Sequence, residues 1–273
     1  MSPRTRIAAL VLLAVAAGCV TVGAGVSDDG ELRVLVYNIH AGHDTLGASN
    51  LERVADLISE TRADVVLLQE VDQGTTRSGD VNQPAVISRL TGMGFAFGST
   101  LDYQGGKYGI ATFTRWPILS HALFRLTVDP PQERAGGAHE PRGALQVEIE
   151  APEGRLYAVN THLDASGTDW YRMQEIAAVR QLADSLLATG APVVVGGDFN
   201  SEPGSNVIDW MTTAGWRDAW AECGEGDELT FPAGEPVKRI DYLFISPQLT
   251  CESARVIETT ISDHRPVLFV LRR

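Results

Sequence analysis

A series of short polar clusters in this 273-residue chain combines side chains that can bind a cation, hold a water and move a proton. In chain order they are Asn38 with His40, then Glu70, then Asn160, His162 and Asp164, then Asp198 with Asn200, then Asp241, then Asp263 with His264. One carboxylate plus amide oxygens, with no cysteine, makes a hard oxygen site that suits Mg²⁺ or Mn²⁺ better than zinc. Glu70 and Asn38 are the natural ligands. Such an ion polarises a phosphoryl oxygen and offsets the charge that builds up in an in-line displacement. Asp198, a carboxylate beside the amide of Asn200, can then hold and deprotonate the attacking water. His264, with its tautomer fixed by Asp241 or Asp263, can donate to the phosphate or to the leaving oxygen. Taken singly, an Asn or Asp of this kind is an ordinary turn former. Their recurrence is what points to one site.

Each cluster closes an apolar run. Residues 32–39 (LRVLVYNI) form a strand rich in β-branched residues, ending at Asn38. Leu51, Val54, Ala55, Leu57 and Ile58 recur at helical spacing behind Ser49 and Asn50, two N-cap candidates. The nearly all-apolar run 64–69 (DVVLLQ) predicts a strand buried on both faces that delivers Glu70 at its C-terminal end. Further strands are expected near 96–99, 109–114, 122–128, 143–150 and 155–161, the last two joined by the turn Ala151-Pro152-Glu153-Gly154. Helices are expected near 84–90 and 170–188, and the strands 193–195, 240–245 and 267–271 complete the set. Hairpins mixed with strand–helix crossovers, without repeat or interior linker, imply one domain of two sheets with helices outside.

Composition narrows the function classes. The chain carries 35 acidic and 22 basic residues, a net charge of −13, and 44% hydrophobic residues. That excludes a disordered chain, a collagen-like fibre and a small disulfide scaffold. The acidic balance opposes extended nucleic-acid binding, which draws its affinity from Lys and Arg displacing counterions. The lysines are only Lys107 and Lys238; the other cations are arginines, whose planar fork suits phosphate or carboxylate.

Residues 1–19 read as an export signal, with Arg4 and Arg6 ahead of an apolar run from Ile7 to Ala17 that is too short to span a bilayer. Ala16-Ala17-Gly18-Cys19 resembles a bacterial lipobox, with Cys19 as the lipid-bearing residue; cleavage after Val22-Gly23-Ala24 is the alternative. Residues 20–30 then form a flexible tether and 31–273 the catalytic domain. The protein is expected to be exported, held to a membrane by its N-terminal lipid and facing the periplasm or cell exterior, or otherwise secreted. In such an oxidising compartment Cys223 and Cys251 are either a disulfide or two buried free thiols, and both readings stay open.

Tyr37-Asn38-Ile39, Leu68-Gln69-Glu70-Val71, Asn160-Thr161-His162-Leu163-Asp164, Gly197-Asp198-Phe199-Asn200, Arg239-Ile240-Asp241-Tyr242 and Ser262-Asp263-His264-Arg265-Pro266 resemble, in the same order, the motif series of the endonuclease/exonuclease/phosphatase superfamily. The resemblance covers residues 32–273 and implies an α/β fold, a four-layer α/β/β/α sandwich of two mixed β-sheets flanked by helices. It also implies hydrolysis of a phosphate ester with Mg²⁺ or Mn²⁺. By motif, Asn38 and Glu70 match metal ligands, with Asp263 a ligand or its neighbour. His162 matches a histidine that contacts the scissile phosphate, Asp198 the residue that activates water, and Asn200 the support for phosphate and water. Asp241 matches the partner of the terminal histidine, and His264 the phosphate-contacting acid. Arg142 is a candidate phosphate clamp, against the plainer reading of a surface arginine at a strand start, and Asp164 is a further phosphate-site candidate.

The substrate is less determined. Residues 101–109 (LDYQGGKYG) and 113–118 (FTRWPI) resemble an exported bacterial branch similar to eukaryotic proteins linked to glycosylphosphatidylinositol-anchor lipid remodelling. That favours a phosphodiesterase, acting as a monomer on a small or lipid-linked substrate. An extracellular DNA or RNA endonuclease is the alternative, opposed by the few cations in loops 74–83 and 127–139, among them Arg77 and Arg134. A non-catalytic surface-binding protein is the third reading, opposed by the presence of Glu70, Asp198 and His264 together. A serine hydrolase is excluded by the lack of Gly-x-Ser-x-Gly.

Overall fold

The computed structural model describes residues 30–131 and 140–273. The expected signal segment, Cys19, the expected tether up to residue 29, and Arg134 lie outside the described residues. Twelve strands make two six-stranded mixed sheets. Strands β1 (Glu31–Asn38), β2 (Val65–Gln73), β3 (Gly94–Tyr103), β4 (Gly106–Thr114), β11 (Thr250–Val256) and β12 (Val267–Arg272) form the first, in the order β11-β12-β1-β2-β4-β3. Strands β5 (Ile118–Leu126), β6 (Arg142–Ala151), β7 (Gly154–His162), β8 (Val193–Asp198), β9 (Arg217–Asp218) and β10 (Asp241–Ile245) form the second, in the order β5-β6-β7-β8-β10-β9. Each sheet holds one parallel pair, β1 with β2 and β7 with β8. Helices α1 (Leu51–Thr61) and α3 (Trp170–Leu187) make the crossovers that a parallel pair requires. Shorter helices α2 (Gln83–Thr91), α4 (Asn206–Met211) and α5 (Ala219–Cys223) complete the set.

Three apolar layers hold these elements in a four-layer sandwich. On β1, Val34 and Val36 point between the sheets, towards Leu145, Val147, Val194 and Leu243. Leu35 and Tyr37, one residue out of phase, face Val54, Leu57 and Ile58 of α1. On the second sheet Val193 and Val195 pack against Ile176, Val179 and Ala183 of α3. Both faces of the central strands are therefore buried, which is why they read as continuous apolar runs rather than as alternation.

The differences from the sequence expectations have local causes. Strand β2 does not stop before Glu70 but continues to Gln73, and Glu70 sits inside it at a register shift between Leu68 and Val71. Strand β11 has few apolar residues because it is an edge strand, and β9 is only two residues long. Asn50 precedes α1 as expected but makes no side-chain cap bond. Its Nδ2 instead donates to Ile39 O, His43 O and Ile261 O, tying the β1–α1 connection to the loop before β12. The two cysteines form a disulfide that joins α5 to β11, which decides between the two open readings.

Candidate active site

The polar clusters converge because strand ends of both sheets meet at one rim. A cavity of about 700 Å³ opens there, lined among others by Glu70, His162, Asp198, Asn200, Asp263 and His264. Gln69 and Asn160 sit just beneath, and Gln69 Nε2 donates to Asn160 Oδ1 at 2.7 Å. Asn160 Nδ2 donates to the carbonyls of Leu68 and Ala111. These two motif residues thus pin the sheets together, while Glu70 and His162, further along the same strands, line the cavity.

Glu70 adopts a left-handed backbone, φ 55°. For a residue with a side chain that conformation is strained, and at a bulge it re-aims the side chain. The carboxylate is half-buried and accepts a hydrogen bond from Asn38 Nδ2 at 3.1 Å. The same amide nitrogen donates to Asp198 Oδ2 at 3.1 Å, so the fully buried Asn38 couples a carboxylate of each sheet. Asn38 Oδ1 accepts from the backbone N–H of His40, which leaves one lone pair.

Asp198 is buried, with Oδ1 accepting from Asn200 N–H at 2.9 Å. Its Oδ2 lies 3.5 Å from His162 Nε2 and 3.6 Å from His264 Nε2. Burial, reinforced by nearby Asp241, raises the Asp198 pKa from the usual aspartate range, against the opposing pull of His264. His264 Nδ1 is 2.9 Å from Asp241 Oδ2. Burial disfavours the His264 cation, but Asp241 and Asp198 outweigh it and raise its pKa. Phe231 covers the ring, centroid to centroid 4.8 Å. Of the two braces considered for His264, the structure selects Asp241. His162, also buried, has its pKa lowered well below the usual range by burial, by Arg142 and by His264.

Close approach of backbones keeps these groups together. A Cβ on Gly197, φ 145°, would fall 1.9 Å from Thr161 O, so only glycine lets β8 run this near β7 where His162 pairs with Asp198. Asn200 is left-handed too, φ 48°, and its Nδ2 donates to Leu163 O. Ser262 Oγ donates to Asn38 O and fixes the loop that carries Asp263 and His264.

Two candidates are placed differently from the rest. Asp164 is fully buried and does not line the cavity. Its Oδ1 accepts from Ser166 N–H, and its own N–H donates to Glu175 Oε2, so it shapes the loop into α3. Arg142 is no surface arginine: it is 4% exposed, with Nη1 2.6 Å from Glu140 Oε1 and 3.1 Å from His162 Nδ1.

Other wall residues were not singled out by type and spacing. Arg77 forms a two-pronged pair with Asp72, 2.8 Å on each contact, and lies between Tyr103 and Tyr108. Arg172 is paired with Asp169 at 2.7 Å. Lys238 is, among the described residues, the lysine or arginine of the wall with no carboxylate partner within 4.0 Å. Glu175, which lies behind the cavity wall on the core face of α3 with Ile176 and Val179, has its pKa raised to about 7, chiefly by burial. A charged residue on an apolar helix face was the available signal.

The donor chemistry fits a hard divalent cation. Glu70, Asn38 Oδ1 and Asp263 offer oxygen only, and no Lys or Arg among the described residues forms an ion pair with Glu70. Asp198, Asp241 and His264 also bring ligating atoms within 4.8 Å of one another. There, however, His264 Nδ1 is already committed to Asp241, and a cationic ring offers no lone pair.

Comparison with known proteins agrees with this geometry. The model of the Endonuclease/Exonuclease/phosphatase family matches residues 35–264. Uncharacterized protein YbhP of Escherichia coli K12 is 26% identical over 250 residues, covering 87% of this chain and 94% of that protein. Among solved structures, an endonuclease/exonuclease/phosphatase from Bacteroides vulgatus superposes with TM-score 0.73 at 23% identity, covering 89% of this chain and 98% of that one. A mannosyl-6-phosphatase from Bacteroides thetaiotaomicron superposes with TM-score 0.74 at 19% identity, covering 89% and 100%. At these identities the structural neighbours establish the fold.

Proposed function

This chain belongs to the endonuclease/exonuclease/phosphatase family, and from that premise we propose that it is a divalent-metal-dependent phosphodiesterase acting on a small or lipid-linked phosphate ester. The observation that carries the reading is the Asn38 amide, which holds Glu70 and Asp198 at 3.1 Å each on one cavity. A cation-binding carboxylate and a water-activating carboxylate are thereby adjacent and fixed. Glu70, Asn38 and Asp263 would hold Mg²⁺ or Mn²⁺, which supplies charge neutralisation at the phosphoryl oxygens.

The chain's own residues do the rest. Asp198 takes the proton of the attacking water; its raised pKa brings it closer to neutral pH, where a general base works best. Asn200, fixed by its bond to Leu163 O, orients that water and the phosphate. His264, kept cationic by Asp241, stabilises the developing negative charge and is placed to protonate the leaving oxygen. Lys238 and the Arg77–Tyr103–Tyr108 stack bound the space for the leaving group.

A small substrate is supported by the arrangement of charge. Among the described residues of the wall, Arg77, Arg142 and Arg172 all spend their charge on carboxylates, which leaves Lys238 for substrate and no extended basic surface. Export is supported by the sequence of residues 1–19 and by the Cys223–Cys251 disulfide, a bond typical of oxidising compartments, and lipid anchoring by the sequence Ala16-Ala17-Gly18-Cys19 alone.

The test is hydrolysis of bis-p-nitrophenyl phosphate and a phospholipid panel with Mg²⁺, Mn²⁺ or EDTA, beside a plasmid-nicking assay. Metal-dependent turnover of small or lipid diesters without nicking is expected. Turnover that persists in EDTA, or in both Glu70→Gln and Asp198→Asn, overturns the mechanism; efficient nicking moves the substrate to nucleic acid.

A further inference from the structure

The proposed hydrolysis sets His162 against Asp198 and leaves open which ring nitrogen carries the proton. Building on that hydrolysis, we infer that Arg142 is a positioning residue that fixes His162 as the Nε2–H tautomer, so that the histidine meets the phosphate as a neutral hydrogen-bond donor and not as a base.

The hydrogen-bonding capacity of each atom decides the tautomer. A guanidinium is always protonated and has five N–H donors and no acceptor. Arg142 Nη1 lies 3.1 Å from His162 Nδ1, with the two residues 4% and 5% exposed. Two donors cannot share that contact, so Nδ1 must present its lone pair. In a neutral imidazole the proton is then on Nε2. Nε2 is the nitrogen turned towards the reaction, 3.5 Å from Asp198 Oδ2. The other tautomer would set a lone pair against that carboxylate oxygen and a second donor against the guanidinium, which is unfavourable on both sides of the ring.

Arg142 is itself held for this task. Nη1 carries two protons, and its two contacts are Glu140 Oε1 at 2.6 Å and His162 Nδ1. The antiparallel register of β6 and β7, with Ala144 opposite Thr161, brings Arg142 beside His162. Arg142 Nε is buried and without a partner, so the edge of the guanidinium bearing it is not open to a ligand. A guanidinium so placed is poorly suited to grip a phosphate as a two-pronged clamp, the role the sequence offered for it. The downward shift of the His162 pKa, from burial and from the charges of Arg142 and His264, acts in the same direction by keeping the ring neutral.

Long-range ¹H–¹⁵N correlation spectra of the ¹⁵N-histidine-labelled protein read the tautomer directly, with His162 assigned by its loss in His162→Gln. The expected result is a protonated Nε2 and an unprotonated Nδ1 at neutral pH. Arg142→Lys keeps a donor and should preserve both this pattern and kcat. Arg142→Met removes the donor and should mix the tautomers and lower kcat by roughly 10- to 100-fold, the range found for groups that orient a functional histidine, with little change in KM. A protonated Nδ1 in the unsubstituted protein overturns the inference, as does Arg142→Met that raises KM while kcat and the tautomer stay as they were. The spectrum of the unsubstituted protein needs neither a folded variant nor turnover. Failure of the hydrolase reading would appear as absent hydrolysis with the tautomer intact.

Discussion

The two sheets contribute different chemistry. The first delivers the oxygen donors Asn38 and Glu70 at its parallel pair, with Asp263 on the loop before β12. The second delivers His162 and Asp198 at its parallel pair and Asp241 at the start of β10, the groups that the proposed reaction uses for phosphate contact, for water activation and to brace His264. Above the Gln69–Asn160 bond that pins the sheets, two further side chains cross between them at the cavity. Asn38 donates to Asp198, and His264, carried next to Asp263, binds Asp241. A parallel pair on each side brings two strand ends to the same rim, and one amide and one imidazole then couple the halves. The site therefore depends on the spacing between sheets as much as on either sheet.

Breaking either half should give the largest effects, but in different observables. Asp198→Asn is expected to lower kcat by about 10²–10⁴-fold, the usual contribution of a general base, with Mn²⁺ affinity by calorimetry nearly unchanged. Glu70→Gln should lose activity and also weaken Mn²⁺ binding, and EDTA should abolish turnover of the unsubstituted protein. If both variants keep their metal affinity, the division between the sheets is wrong.

The crossing contacts come next. Asp241→Asn removes the carboxylate that does most to keep His264 cationic against burial. The His264 pKa should fall, so the alkaline limb of the pH–rate profile should move to lower pH. An unmoved limb in Asp241→Asn would mean that another group sets it.

A covalent tie also spans the halves, since Cys223 ends α5 beyond β9 of the second sheet and Cys251 lies on β11 of the first. For bridged residues 28 apart, its removal in Cys223→Ser/Cys251→Ser should cost about 3.5 kcal/mol in denaturant unfolding and leave kcat near its original value. A large loss of kcat at low temperature would show that the tie sets the spacing of the site itself.

The smallest effect concerns Glu175 behind the second sheet. Its folded pKa of about 7 lies above that of an unfolded glutamate, so between roughly pH 4.5 and 7 the folded state holds a proton that the unfolded state has released. Stability is lost as pH rises through that window. Glu175→Gln should therefore stabilise the protein at pH 8 relative to pH 4, by no more than the roughly 3 kcal/mol that a rise from 4.5 to about 7 represents.

Much of this site was legible in the residues. Apolar runs ending in Asn38, His162 and Asp198 gave strands whose ends carry chemistry, because strands buried on both faces leave polar groups only where they emerge. Glu70 was identified by type, but the strand was expected to end before it. Sequence spacing does not report a register shift, which depends on the partner strand β4. Arg142 looked like a clamp because an isolated arginine near a phosphate site has that meaning, and its burial against Glu140 and His162 exists only after β6 and β7 pair. Asp164 shared a motif with His162 yet turned into the loop, since two residues beyond a strand end the chain has already changed direction.

The sequence by itself determined most of the strands, the two crossover helices, the family and the set of groups available for reaction, because periodicity and side-chain chemistry are local properties. Only the tertiary structure decided which carboxylate braces His264, which amide links Glu70 to Asp198, and which nitrogen of His162 faces the cavity. These are distances between atoms on different strands and loops, two of them from opposite sheets, separated by as many as 160 positions along the chain. Burial at the junction then sets their charge states, and no local stretch of sequence contains that information.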